Sequence, residues 1–365
     1  MIVYQATKAE FNNDVFNDVI DKRILASFKD RLNRSTAINE IQSWKNSMQY
    51  MYKVLSDDTI PDDCGIAIEY EVPQSSKRVD FIITGINEEN KEHVIIIELK
   101  QWSTASISDK DAIVNTVVNR RLGEHTHPSY QAWSYASLLY GFNETVVSDG
   151  INLKPCAYLH NYEPDDVITN EHYKDHLDKA PVYLKGDAGK LRDFIKQHVK
   201  YGDNRNILYR IENSRIRPSK MLADSLVKML KGNPEFVMID DQKLVYETAV
   251  ALSMKASEKN KKVLIVKGGP GTGKSVVAIN LLVNLTKKGL VTKYVSKNAA
   301  PRAVYESRLT GTLRKTEISN LFAGSGAFVT TEPNTFDVLI GDEAHRLNKY
   351  SGFTQISVKT KSKRS

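Results

Sequence analysis

Lys-Val-Leu-Ile-Val-Lys-Gly-Gly-Pro-Gly-Thr-Gly-Lys-Ser, residues 262–275, is a short apolar run that reads as a strand and ends in the phosphate-loop pattern GxxxxGK[ST], Gly268 to Ser275. A helical run, Val276 to Leu285, follows it. Glycines 268, 269, 271 and 273 let the backbone turn tightly around Pro270 and Thr272 and aim its N–H groups at phosphate oxygens. Lys274 then reaches the β and γ phosphates and the Ser275 hydroxyl ligates Mg²⁺, so the expected ligand is ATP with Mg²⁺. The strand before and the helix after supply the context the pattern requires, which a bare Gly-rich turn lacks.

Working outward, a second apolar strand, Phe336 to Ile340, ends in Gly341-Asp342-Glu343-Ala344-His345. An aspartate at the carboxyl end of a buried strand holds the metal, and the next acid polarises the attacking water. Asp342 is therefore the expected Mg²⁺ ligand and Glu343 the expected base. From Phe236 onward strand and helix alternate, which favours a parallel sheet with helices on its faces.

The chain has 365 residues, enough for two or three domains, and a formal charge of +7 with a pI near 9.0. That charge is compatible with a polyanionic partner without establishing one. No run approaches the ~18 apolar residues of a membrane span, and Met1-Ile-Val-Tyr-Gln-Ala-Thr-Lys8 lacks the layout of a secretion signal, so a cytoplasmic protein with no membrane partner is expected. Cys64 and Cys156 are too few for a disulfide framework and read as reduced thiols. His125 and His127, in Glu124-His-Thr-His-Pro128, are read as helix-capping or solvent-facing and carry no assigned chemistry.

In the first half, helical patterns cover Asp14 to Lys29 and Ala37 to Leu55, and strand-like runs cover Gly65 to Val72, Val79 to Ile86 and His93 to Lys100. Folding the last two about a turn centred on Glu89 sets Asp80 opposite Glu98, and period two puts Glu98 and Lys100 on one face. Alone, D…ExK is common at a charged hairpin end. Here Glu98 follows Val94-Ile-Ile-Ile97, so the acid ends a strand that reads as buried on both faces, where a carboxylate needs a partner or a metal. Asp80 and Glu98 are expected to hold one or two Mg²⁺, with Mn²⁺ as a substitute, and Lys100 to orient the water and offset charge. Gln131 and Tyr135, in Tyr130-Gln-Ala-Trp-Ser-Tyr135, share a helix face at i and i+4.

Val79-Asp80, Glu98-Leu-Lys100 and Gln131-Ala-Trp-Ser-Tyr135, in this order, resemble the PD-(D/E)xK nuclease superfamily, nearest its RecB-like branch. The resemblance implies Asp80 and Glu98 as metal ligands, Lys100 as the catalytic lysine, and Gln131 and Tyr135 as residues supporting the site or touching the substrate backbone. Glu40, in Asn39-Glu-Ile-Gln-Ser-Trp44, stands where such nucleases often place an acid on an early helix, or it is a solvated helix acid.

Residues 236–353 resemble the amino-terminal part of superfamily 1 helicases, and more closely the bacterial Schlafen-like DNA/RNA helicase domain. By that resemblance Gln242 is the adenine-reading glutamine, and Asn298 and Arg302 touch the single-strand backbone. From chemistry alone, Lys297, Arg302 and Tyr305 offer phosphate contacts and a stacking ring, or form a solvated helix start. The expected class is α/β: a restriction-endonuclease-like nuclease core at 1–200, a helical connector at 201–235, a partial RecA-like P-loop lobe at 236–353 and a disordered basic tail at 354–365. Only 22 residues follow Glu343, so the sequence reads as truncated after this motif, with weak ATP hydrolysis and no unwinding expected. A sheet cut short leaves an edge that favours homo-oligomers. The leading expectation is an Mg²⁺-dependent DNA or RNA nuclease fused to an ATP-binding motor lobe, by resemblance in defence against foreign nucleic acid. An ATP-responsive nucleic-acid-binding or sensing module without cleavage is the alternative, and a phosphotransferase is a third reading that lacks an evident acceptor site.

Overall fold

Thr7 opens the first helix with a reciprocal cap, its hydroxyl accepting from the Glu10 N–H and the Glu10 side chain accepting from the Thr7 N–H. This T-x-x-E signal sits ahead of the helix read from the sequence as Asp14 to Lys29. The computed structural model describes residues 1–32, 36–72, 77–217, 222–230, 236–310, 314–328 and 331–347. It resolves that stretch into two helices, α1 Lys8–Phe16 and α2 Ile20–Leu32, after the strand β1 Ile2–Thr7. Asp18 takes a φ of 52° between them, a left-handed turn that a continuous helix cannot contain.

The chain divides into two compact units, Met1–Ser219 with Val237–Glu247, and Lys220–Phe236 with Thr248–Ser365 so far as these are described. The first continues with α3 Ile38–Leu55, β2 Gly65–Glu71, β3 Arg78–Ile86, β4 Glu92–Lys100, β5 Ala105–Ile107, β6 Ile113–Val118, β7 Arg121–Thr126, α4 Pro128–Phe142, α5 Glu144–Ser148, β8 Asn152–Leu159, α6 Lys174–Leu177, β9 Val182–Leu184, α7 Ala188–His198 and α8 Ile207–Glu212. Its main sheet has the order β1-β2-β3-β4-β8-β9, antiparallel from β1 to β4 and parallel from β4 to β9. One face packs Ile68, Phe81, Ile95 and Ile97 against α1, α2, α3 and α7. The other packs Ala67, Ile82, Val94 and Ile96 against Tyr135, Leu139, Val146 and Ile207. This is an α/β layered core, and the near-continuous apolar run of β4 is explained by burial on both sides. β5, β6 and β7 form a separate antiparallel sheet.

The second unit begins with α9 Leu222–Leu230. The helix α10 Asp240–Lys255 belongs to the first unit through Glu247 and to the second from Thr248. Then come α11 Lys274–Lys287, β10 Thr292–Ser296, α12 Ala299–Leu309, α13 Lys315–Leu321, β11 Phe322–Ala323 and β12 Val338–Asp342. The three strands are parallel in the order β11-β10-β12, the sheet type that alternation implied. Ile279, Leu282, Tyr294, Leu309 and Phe322 lie in its core.

Two expectations for this unit are corrected. Residues 262–266 form no strand: Val263 is 85% and Ile265 75% exposed. An apolar run becomes a strand only where a neighbour supplies its hydrogen-bond ladder, and among the described residues β12 pairs with β10 alone. For the same reason β12 is a half-exposed edge rather than a buried strand, and it extends past Ile340 to include Gly341 and Asp342. The basic tail lies outside the described residues. Both cysteines are free and buried. Among the described residues no helix is long and apolar enough to cross a membrane.

Candidate functional site

The hairpin of β3 and β4 turns at Asn87 to Lys91, where the Asn87 N–H donates to the Lys91 carbonyl. Phe81 pairs with Ile97 and Ile82 with Ile96. One step further along this register, Asp80 and Glu98 stand opposite each other. Asp80 Oδ2 accepts from the Leu99 N–H at 2.8 Å, and Lys100 Nζ donates to Glu98 Oε1 at 2.6 Å. The structure therefore brings these three side chains together at the end of the hairpin.

Glu98 is 2% exposed and its Oε2 has no hydrogen-bond donor among the described residues. Burial, then the Asp80 carboxylate, pushes its carboxyl well above the usual range, and burial also raises Asp80. Burial opposes the charge on Lys100, but Glu98 and Asp80 outweigh it and raise its pKa, so the lysine stands as an ammonium. Two all-oxygen acids, one with an orphaned buried oxygen, suit a hard divalent cation such as Mg²⁺ or Mn²⁺. Among the described residues no group of three or more His, Cys, Asp or Glu is arranged to hold a metal ion. Mg²⁺ commonly takes only one or two carboxylates and keeps several waters.

Sequence reasoning missed Glu69. It lies on β2 in the interval between the pairs Ile68–Phe81 and Tyr70–Val79, opposite Asp80. Its φ of 57° interrupts the pleat. Ile68 packs in one core and Tyr70 in the other, although regular period-two geometry would put both on one face. Glu69 accepts from Trp44 Nε1 at 2.8 Å and pairs with Arg78 at 3.0 Å, and burial followed by Asp80 pushes its carboxyl up to about 7. Arg78 also reaches Glu40 at 2.6 Å. Glu40, Glu69, Lys77, Arg78 and Asp80 line one cavity of about 280 Å³, so the early-helix acid does lie beside the hairpin end. The burial argument applied to Glu98 was open to Glu69 as well, an acid inside Gly65-Ile-Ala-Ile-Glu-Tyr.

On α4, Gln131 Nε2 donates to the Tyr135 hydroxyl at 3.0 Å, the contact expected of i and i+4. His127 caps this helix, its Nδ1 accepting from the Ser129 N–H, and burial lowers its pKa to about 4. Tyr135 in turn donates to Asp240 Oδ2 at 2.6 Å, a partner no local pattern announced. Gln242 lies on α10 in the first unit, its Oε1 accepting from the Ile239 N–H at 3.2 Å.

In the second unit Gly271 and Gly273 take φ of 74° and 79°, the left-handed turns that glycine allows before α11. A Cβ on Gly268 would stand 2.8 Å from Thr272 Oγ1. Lys274 Nζ donates to the carbonyls of Gly268 and Gly269 at 2.9 and 2.7 Å, and Thr272 Oγ1 donates to the Gly269 carbonyl. Ser275 Oγ donates to Asp342 Oδ2 at 2.9 Å, so the two expected Mg²⁺ ligands meet although the strand before the loop is absent. Tyr294 donates to the same oxygen. Glu343 takes a φ of 52°, and its carboxylate pairs with His345 at 3.4 Å. Asn298 and Lys297 precede α12, and Arg302 pairs with Glu306 at 3.6 Å. Tyr305 is no stacking ring for a base. It is 7% exposed and stacks on Phe322 in the core, because α12 turns that face onto the sheet.

No curated protein and no solved structure matches the chain. Residues 261–364 match the family described as Schlafen group 3, DNA/RNA helicase domain, so the part of the chain that carries the phosphate loop is similar to a Schlafen-type helicase domain.

Proposed function

We propose that the chain is a divalent-cation-dependent DNA or RNA nuclease joined to an ATP-binding, helicase-type lobe. The observation that carries the first half is buried Glu98 with an unpartnered Oε2, in contact with Lys100 and opposite Asp80. A divalent cation bound there polarises a phosphodiester and lowers the pKa of a bound water. Asp80 and Glu98 hold it, the Lys100 ammonium offsets charge developing on the phosphate, and Gln131 and Tyr135 brace the far side. In the lobe, Ser275 and Asp342 hold Mg²⁺, Lys274 exchanges its loop carbonyls for phosphate oxygens, and Glu343 is the base. Nucleic acid as the shared substrate is supported by the match of residues 261–364 to a DNA/RNA helicase domain.

A non-cutting, ATP-responsive binding module is the second reading. It is favoured by the Lys100 ammonium lying directly on Glu98. Labelled single- and double-stranded DNA and RNA, incubated with Mg²⁺ or Mn²⁺ and with or without ATP, separate the two. The nuclease reading expects cation-dependent cleavage that Asp80→Ala, Glu98→Ala and Lys100→Ala each abolish. Cleavage persisting in all three variants, or binding with no cleavage under any cation, overturns it.

A further inference from the structure

Asp240 opens α10 with a φ of 37°, a left-handed conformation that strains a non-glycine residue, and the residue is 7% exposed. The surrounding segment is pinned to the first unit. Tyr130 donates to the Met238 carbonyl at 2.7 Å, and Lys243 reaches Asp111 and Glu247, each at 2.7 Å. Asp240 Oδ2 accepts from Tyr135 at 2.6 Å and stands 3.3 Å from Lys77, a residue of the cavity beside Asp80. Its Oδ1 has no hydrogen-bond partner among the described residues.

Glu98 Oε2 is likewise buried and unpartnered, and the Asp240 charge is felt at both Glu98 and Lys100. Buried acceptors left unpaired call for a cation. Lys77, the cation beside Asp240, is shared with the exposed Asp241 at 2.9 Å. The unsatisfied Asp240 oxygen is a cost that the water shell of a bound cation would relieve.

We propose that Asp240 supplies a third carboxylate to the cation site of Asp80 and Glu98, so that the segment returning to the first unit after Phe236 completes the cutting centre. This rests on the nuclease reading for its chemistry, but cation binding can be measured without it. Because among the described residues no three acids stand at ligating geometry, Asp240 acts from the outer sphere. Loss of such a partner typically lowers metal affinity about 10–100-fold.

Mn²⁺ binding to the full chain without nucleotide, followed by electron paramagnetic resonance, tests this. Asp240→Asn keeps the shape and the contact with Tyr135, and Asp240→Ser takes its place should the amide variant fail to fold. The expected result is a loss of Mn²⁺ affinity of about 10–100-fold, recovery in Asp240→Glu, and parental binding in Asp241→Asn. Parental Mn²⁺ binding in Asp240→Asn, or an equal loss in Asp241→Asn, overturns the proposal while leaving the nuclease reading intact. Asp240-dependent binding by a chain that cuts no nucleic acid sinks that reading and leaves this one standing.

Discussion

Replacing Lys100 by methionine removes the ammonium that lies on buried Glu98 while keeping much of the side-chain volume. Lys100 is 18% and Glu98 2% exposed at the side chain, so this is a buried pair, and losing one partner of such a pair costs about 3–5 kcal/mol. Proton uptake limits the loss. Holding a carboxyl neutral costs at most about 1.4 kcal/mol for each pH unit above its unfolded pKa of ~4.3, hence about 5 kcal/mol at pH 8 and about 1 kcal/mol at pH 5. The sign follows from losing Lys100, which pulls the raised Glu98 carboxyl down in the parent: without it the folded pKa rises further, so the gap between variant and parent is small below the unfolded value and opens as pH rises through the parental folded one. In metal-free buffer the variant is therefore expected to melt lower by roughly 6–20 °C at pH 8, with much of the gap closing at pH 5. Mn²⁺ at about a hundred times its dissociation constant restores about 2.7 kcal/mol at pH 8 without restoring cleavage. All three tryptophans, Trp44, Trp102 and Trp133, lie in the first unit, so their fluorescence reports its unfolding alone. Equal stability of variant and parent at pH 8 in chelator would refute the buried-charge argument. An equal deficit at both pH values would assign the loss to packing instead.

Glu69→Gln should flatten the dependence of first-unit stability on pH between about 4.5 and 7.5. The parental carboxyl, raised to about 7, contributes stability below the unfolded value that fades as pH rises, on the order of 2–3 kcal/mol; urea melts with unchanged slope against pH would contradict it. Lys274→Ala should weaken binding of a fluorescent ATP analogue about 10–100-fold, the worth of a lost charge-assisted contact, while leaving the melting temperature unchanged. Tyr305→Phe should leave single-strand affinity unchanged, whereas Tyr305→Ala should destabilise the second unit by about 3–5 kcal/mol. A loss of affinity in folded Tyr305→Phe would return that ring to the nucleic-acid surface.

Short-range geometry was open to reading along the chain. A turn centred on Glu89 sets the register of β3 against β4, because each residue gained on one strand is matched on the other. Spacing of four brings Gln131 to Tyr135 for the same reason of fixed backbone period. Period two failed at Glu69, where one left-handed residue moves the strand's faces, and no local composition marked it. The apolar run at 262–266 was read as a strand from its own residues, yet a strand is defined by neighbours, which sequence pattern does not supply.

By itself the sequence determined what lies within a few residues: the glycine turns and lysine of the phosphate loop, the hairpin that ends in Asp80, Glu98 and Lys100, and the capped helix behind them. Only the tertiary structure decided which of these groups are desolvated and what stands across from them. Asp240 and Tyr135 meet across most of a domain in sequence, and Tyr305 is turned inward by the sheet beneath α12. Backbone periodicity is local and repeats wherever the chain repeats it. Burial and electrostatic partnership come from closing long loops, and their outcome depends on the whole core that closes them.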